Sequence, residues 1–221
     1  MKLFLDTANL DQIKKLNAMG IVDGITTNPT LVAKEQGEFE DIIVAICKEV
    51  RGDVSAEVVA TNFEGMVAEA EHLAALAPNV VVKIPMIQEG LKATKTASGR
   101  GIRVNMTLIF SANQGLLAAK AGASFLSPFI GRLDDIGQRG MEVVEDLVKI
   151  RDNYKMRAQV LVGSIRHTQH VLESAKIGAD IATMPPEVME KMIQHPLTDA
   201  GLKRFLDDWQ KAKKAKPSIT V

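Results

Sequence analysis

Seven polar residues recur along the 221-residue chain at intervals that suggest one working surface. Asp6, Asn28, Glu57, Lys83, Asn105 and Ser127 follow one another at steps of 22 to 29 residues, and Ser164 comes 37 residues later. Each lies in or at the end of a short apolar run. Lys83 is the unusual member, because it interrupts the run VVVKIP. Burial among apolar neighbours favours the free amine over the ammonium. A free amine attacks carbonyl carbon and forms a Schiff base. That imine is an electron sink: it lets the bond beyond the neighbouring carbon break and leaves an enamine. Such chemistry needs a base, for which Asp6 is the candidate, and an activated water, which Glu57 with Thr107 can hold. Asn28 and Asn105 can hydrogen-bond substrate hydroxyls without titrating. Arg132 and Arg166 can clamp a phosphate, with Ser164 adding a donor. The purely structural alternative for Lys83 is a buried ion pair with Asp6 or Glu57. A lysine that supplies its own electrophile calls for no metal and no cofactor.

The elements that must position these groups read as strands alternating with helices. The strands are KLFLDT (2–7), DGITTN (23–28), DVSAEVVA (53–60), NVVVKIP (79–85), GIRVNMTL (101–108), ASFLSPF (123–129), AQVLVGS (158–164) and ADIATM (179–184). Helices fill the intervals, with a Gly-, Asp- and Arg-rich loop before the one near 141–153, and two more helices, 186–194 and 198–212, end the chain. Alternation of this kind implies a parallel sheet covered by helices, and eight units predict one (β/α)8 barrel over 1–221, with 198–221 as an appended helix and tail. An open doubly wound sheet is the rival, but it is usually marked by a glycine-rich first turn, and DTANLD has no glycine. In the barrel, active sites sit at the C-terminal strand ends, and phosphate sites on the late loops. Side chains alternate with period two along a strand. That parity puts Phe4 with Asp6, Thr26 with Asn28, Ser55 with Glu57, Val81 with Lys83, Asn105 with Thr107, and Phe125 with Ser127 and Phe129. It also aligns Val160 and Val162 with Ser164 and Arg166, and sets Leu108 on the opposite face from Thr107.

Composition bounds the remaining possibilities. Lys plus Arg and Asp plus Glu each number 27, and 46% of residues are hydrophobic. The chain can bury a sizeable core, and its neutrality argues against a nucleic-acid partner. No apolar run approaches a membrane span, and Asp6 arrives too early for a signal peptide. With one cysteine, Cys47, no intrachain disulfide can form, and a cytoplasmic setting is expected. Cys47 reads as a packed helix residue, the ten methionines as core filler, and Phe63 and Phe110 as packing. His72, His167, His170 and His195 read as solvated or capping.

The segments FLDTAN, GITTNPT, VVVKIPM, VNMTLIFS, SPFIGRLDD and GSIR closely resemble, in order and spacing, the strand-end motifs of the transaldolase family. The length resembles that of its short bacterial and archaeal branch, which also holds the fructose-6-phosphate aldolases. The resemblance implies that Lys83 is the Schiff-base lysine. It implies that Asp6, Asn28, Glu57, Asn105, Thr107 and Ser127 are catalytic or substrate-orienting, and that Arg132, Ser164 and Arg166 bind phosphate. Aldolases of the branch carry Gln and Tyr where this chain has Glu57 and Phe129, so the resemblance is to the transaldolases. It implies sugar-phosphate substrates and a homo-oligomer, a pentamer or a decamer of two pentameric rings, with the C-terminal helix reaching a neighbour.

Overall fold

The apolar runs pair as a closed ring of parallel strands. A computed structural model describes residues 1–215. The strands are β1 (Lys2–Asp6), β2 (Gly24–Thr26), β3 (Asp53–Glu57), β4 (Val80–Pro85), β5 (Val104–Ile109), β6 (Phe125–Pro128), β7 (Gln159–Val162) and β8 (Ile181–Met184). Each pairs with its sequence neighbour, and β8 returns to β1 to close the barrel. The helices are α1 (Leu10–Asn17), α2 (Pro29–Val32), α3 (Phe39–Glu49), α4 (Phe63–Leu76), α5 (Gln88–Gly99), α6 (Ala112–Ala121), α7 (Ile130–Asp135), α8 (Gly140–Tyr154), α9 (Thr168–Ile177), α10 (Pro186–Ile193) and α11 (Pro196–Ala215). The architecture is a single (β/α)8 barrel with an additional C-terminal helix.

Local chemistry sets the helix starts. Asn9, Asn28, Asn62 and Ser111 each accept a backbone N–H three residues on. Such a cap satisfies a donor the helix cannot, and is worth about 1 kcal/mol. Gly122 and Gly178 end α6 and α9 in the left-handed conformation, which costs glycine nothing.

The core has two layers. Inside the barrel, Phe4, Val81, Phe125, Leu161 and Ile181 form a closed apolar cluster. Between strands and helices, Leu5, Ile25, Val54, Val82, Met106 and Leu126 join the larger one. Cys47 is half-buried on α3 beside that layer, and burial pushes its thiol up to about 11.

Five local expectations are corrected. On β7 it is Leu161 that faces inward, while Val160 and Val162 join the outer layer. QVLV is covered on both sides, so its sequence carries no alternation to read. Ser164 does not continue the strand, because its backbone turns left-handed (φ 58°). On β5 the pairing with β6 shifts between Met106 and Ile109, and Leu108 also takes a positive φ of 57°. The segment expected to be a loop before α8 contains α7, whose Ile130 and Leu133, three apart, are both buried. The expected strand end at Thr27–Asn28 is instead the entry to α2. Residues 216–221 of the expected tail lie outside the described residues.

Candidate active site

Lys83 sits on the fourth strand facing the barrel axis, and only 3% of it is exposed. Register fixes its neighbours: Glu57 on β3 and Asn105 on β5 stand directly beside it. The Lys83 Nζ lies 3.0 Å from Glu57 Oε2 and donates to the Thr27 carbonyl at 3.0 Å. The ion pair that was one alternative for Lys83 is therefore present, and Glu57 is its partner. The amine also stands 5.7 Å from the centre of the Phe129 ring, whose other neighbour is Arg132 at 5.2 Å. Phe110 packs edge-on against Phe129 at 6.3 Å, so it buttresses the wall.

These groups open into one cavity of about 330 Å3 lined by Asn28, Leu31, Glu57, Lys83, Leu108, Phe129 and Arg132. Asn28 caps α2 with its Oδ1, which leaves its Nδ2 for a ligand. Leu108 is in the wall because the irregularity on β5 swings it there, a common use of such bulges beside active sites. Asn105 gives its Nδ2 to Ser55 Oγ at 3.1 Å. Its Oδ1 and the Thr107 Oγ1 are buried without a protein partner among the described residues. Buried polar atoms of this kind are costly and call for an explanation.

Asp6 lines an adjoining hollow of about 420 Å3 that shares Leu31 with the first. Burial raises its carboxyl above the ordinary 3.8, against the opposing pull of Lys83 and of the Thr26 hydroxyl. Thr26 Oγ1 donates to Asp6 Oδ1 at 2.9 Å and contacts Thr183 Oγ1 at 2.6 Å. A carboxylate so desolvated is a stronger base than one in water.

The late-strand groups are less convergent. Ser127 is buried on β6, against Gly163. Ser164 is half-buried and Arg166 exposed, and Arg166 Nη2 donates to Asp135 Oδ2 at 2.8 Å. The structure thus brings Asn28, Glu57, Lys83, Phe129 and Arg132 onto one cavity, with Asp6 next to it, and leaves Ser164 and Arg166, and the buried Asn105, Thr107 and Ser127, outside its lining. Residues the sequence reading missed are Thr27, whose carbonyl holds the amine, and Leu31 and Leu108. A backbone acceptor and a bulge leave no mark in residue type.

Among the described residues no group of three His, Cys, Asp or Glu could hold a metal ion, and no helix is long and apolar enough to cross a membrane. A larger hollow of about 670 Å3, lined by Lys120, Tyr154 and Arg157 among others, opens at the opposite end of the barrel and contains none of the groups above.

The chain is similar to known proteins over nearly its whole length. The chain is 57% identical over 222 residues to a probable transaldolase of Nitrosopumilus maritimus (strain SCM1), with all of both chains covered. It is 59% identical over 211 residues to a probable transaldolase of Petrotoga mobilis, covering 96% of each. Among solved structures, the 3-hexulose-6-phosphate synthase of Salmonella typhimurium superposes with a TM-score of 0.63 at 18% identity, covering 86% of this chain and 91% of that one; this likeness concerns the fold alone. The family model described as transaldolase/fructose-6-phosphate aldolase matches residues 3–216. With the lysine, its carboxylate partner and the barrel that aligns them in place, the chain belongs to the transaldolase/fructose-6-phosphate aldolase family.

Proposed function

We propose that this protein is a transaldolase that moves a dihydroxyacetone unit between sugar phosphates through a Schiff base on Lys83. The reaction would convert sedoheptulose 7-phosphate and glyceraldehyde 3-phosphate to erythrose 4-phosphate and fructose 6-phosphate, a step of the non-oxidative pentose phosphate pathway. The observation that carries the reading is a buried amine on the cavity wall, 3.0 Å from a carboxylate that can take its proton. Freed by transfer of that proton to Glu57, Lys83 Nζ adds to the donor's ketone carbon. The carbinolamine loses water, for which Glu57 and the unpartnered Thr107 hydroxyl supply the proton path. Asp6 takes the proton of the C4 hydroxyl, the C3–C4 bond breaks into the imine, and the aldose leaves. An enamine remains on Lys83 and attacks the acceptor aldehyde, and water then releases the new ketose. Asn28 and Asn105 hydrogen-bond sugar hydroxyls, Ser127 and Phe129 shape the wall, and Arg132, Ser164 and Arg166 hold the phosphate.

The chain acts as a homo-oligomer in this reading. Its support is α11, which has no buried residue and exposes Leu197, Leu202, Phe205 and Leu206. Apolar rows of this kind mark association surfaces.

Borohydride added with fructose 6-phosphate should fix a three-carbon adduct, located by mass spectrometry on Lys83. An adduct elsewhere, or none, overturns the mechanism. Donor cleavage should stall after one turnover unless an aldose phosphate acceptor is present. Steady release of free dihydroxyacetone without acceptor would make the protein an aldolase instead, an outcome against which Glu57 and Phe129 argue.

A further inference from the structure

The loop Gly163–Arg166 lies directly on α7, the helix that carries Arg132. Ile130 and Gly131 donate their backbone N–H groups to the carbonyls of Gly163 and Ser164 at 3.2 and 3.1 Å. A β-carbon on Gly131 would stand 2.2 Å from the Ser164 oxygen and 2.5 Å from Arg166 Nε. Loop and helix are therefore in contact with no room to spare.

What holds the far side of this loop is His170, in the first turn of α9. Contrary to the sequence expectation, it is buried. Its Nδ1 accepts the Arg166 backbone N–H at 3.3 Å, and its Nε2 lies 3.1 Å from Asp134 Oδ2 on α7. Asp134 in turn accepts the Gly140 N–H at 2.9 Å. A backbone N–H can only donate, so Nδ1 must be bare and the single ring proton must sit on Nε2, where it is donated to Asp134. The same arrangement fails with a doubly protonated ring, because two donors would then face each other at Nδ1.

We propose that neutral His170 is a positioning residue that clips the Gly163–Arg166 loop to α7, so that Arg132, Ser164 and Arg166 present one anion-binding surface, and that its protonation releases the loop and weakens the grip on phosphate. This rests on the reading of those three residues as phosphate holders. The charged and titratable groups around the ring are Asp134 from α7, His167 with its ring tilted against it at 3.8 Å between centres, Glu173 on its own helix, and Arg166 with its partner Asp135. Among the described residues no charged side chain of α8 or α10, which also pack on α9, contributes to its titration. Burial, followed by the repulsion of His167, holds the ring below its usual 6.5, against Asp134 and Glu173. A lowered value means that the clip is intact above 6.5 and is lost as pH falls further, through the value in the folded protein.

The test uses sulfate, whose charge is constant over this range, titrated calorimetrically into the full-length protein between about pH 5 and pH 8. His170→Asn keeps an acceptor oxygen for the Arg166 N–H and cannot titrate, whereas His170→Ala removes the acceptor. Sulfate affinity of the unmodified protein, divided at each pH by that of His170→Asn, should fall about fivefold below pH 6.5, the scale of one hydrogen bond. Taking this ratio cancels any pH effect that does not pass through His170. His170→Ala should bind sulfate weakly at every pH. In the transfer reaction it should raise the KM for a ketose phosphate with kcat within about twofold. A ratio that does not change with pH, or a loss confined to kcat, overturns the proposal. If His170→Ala fails to fold, the ratio alone decides. A pH-dependent sulfate response without borohydride trapping would keep this inference and sink the reaction assigned to Lys83; trapping with no such response would do the reverse.

Discussion

Toward the N-terminal ends of the strands the inward positions are Phe4, Val81, Phe125, Leu161 and Ile181. Two residues further along the same strands they are Asp6, Lys83, Ser127, Gly163 and Thr183. One pleat therefore separates a dry plug from a floor of ionisable and hydroxyl groups. The plug is apolar matter at crystal-like density, where each buried side chain adds stability. The floor does the opposite. It desolvates a carboxylate and an ammonium, a cost of several kcal/mol per ion before pairing, and it leaves Asn105 Oδ1 and Thr107 Oγ1 without protein partners among the described residues. Stability and chemistry are thus assigned to adjacent layers of one tube, and substitution in each layer should register in a different measurement.

The sharpest separation comes from Lys83→Met. Transfer should fall by more than about a thousandfold, as for loss of a covalent nucleophile, and borohydride trapping should vanish. Because this strands Glu57, the pair Lys83→Met with Glu57→Gln is the cleaner version. It should melt no lower than the unmodified protein, since buried ion pairs replaced by neutral groups of similar volume are often neutral or stabilising. A cooperative melt lost in both variants would break the distinction between layers. Leu161→Ala in the plug should do the converse, costing about 3 kcal/mol by chemical denaturation while kcat changes by less than about threefold. A kcat lost in proportion to stability would show that the two layers are not separable. The smallest expected effect is that of Asp6→Asn on stability. The Asp6 carboxyl is raised by burial, so relative to the unfolded chain it favours the fold below 3.8 and disfavours it as pH rises through the raised value. Asp6→Asn should remove that slope and lift the melting temperature at pH 7 by about 2 °C, while abolishing proton abstraction. An unchanged pH slope would place the carboxylate in water rather than in the floor.

Much of this layering is legible in the sequence. On β1, β4 and β6 an apolar residue is followed two positions later by a polar one, and period two alone assigns both to the axis. It fails where both faces of a strand are equally apolar, as in QVLV, and where the backbone leaves the regular pleat. Leu108 and Ser164 depart from the pleat through positive φ, which neither residue type favours, so alternation misplaces both. α7 is hidden because its glycine and its acidic and basic residues mimic a loop, while only two apolar side chains anchor it. The burial of His170 is likewise invisible, since its partners come from α7 and from the loop before its own helix.

The hydroxyl pair behind Asp6 carries one more consequence. Thr26 stands on the second strand and Thr183 on the last, and they touch only because β8 has come round to pair with β1. Thr26 gives its proton to Asp6, so Thr183 must be the donor in its contact with Thr26, and the hydroxyl that serves Asp6 is itself held by a residue that joins last in chain order. A folding intermediate with the first seven strands assembled would own the amine, Glu57 and Arg132, yet Asp6, the base proposed above, would lack this backing. During refolding, recovery of turnover should accordingly coincide with docking of the eighth strand rather than with burial of Lys83, which makes catalysis itself a reporter of ring closure.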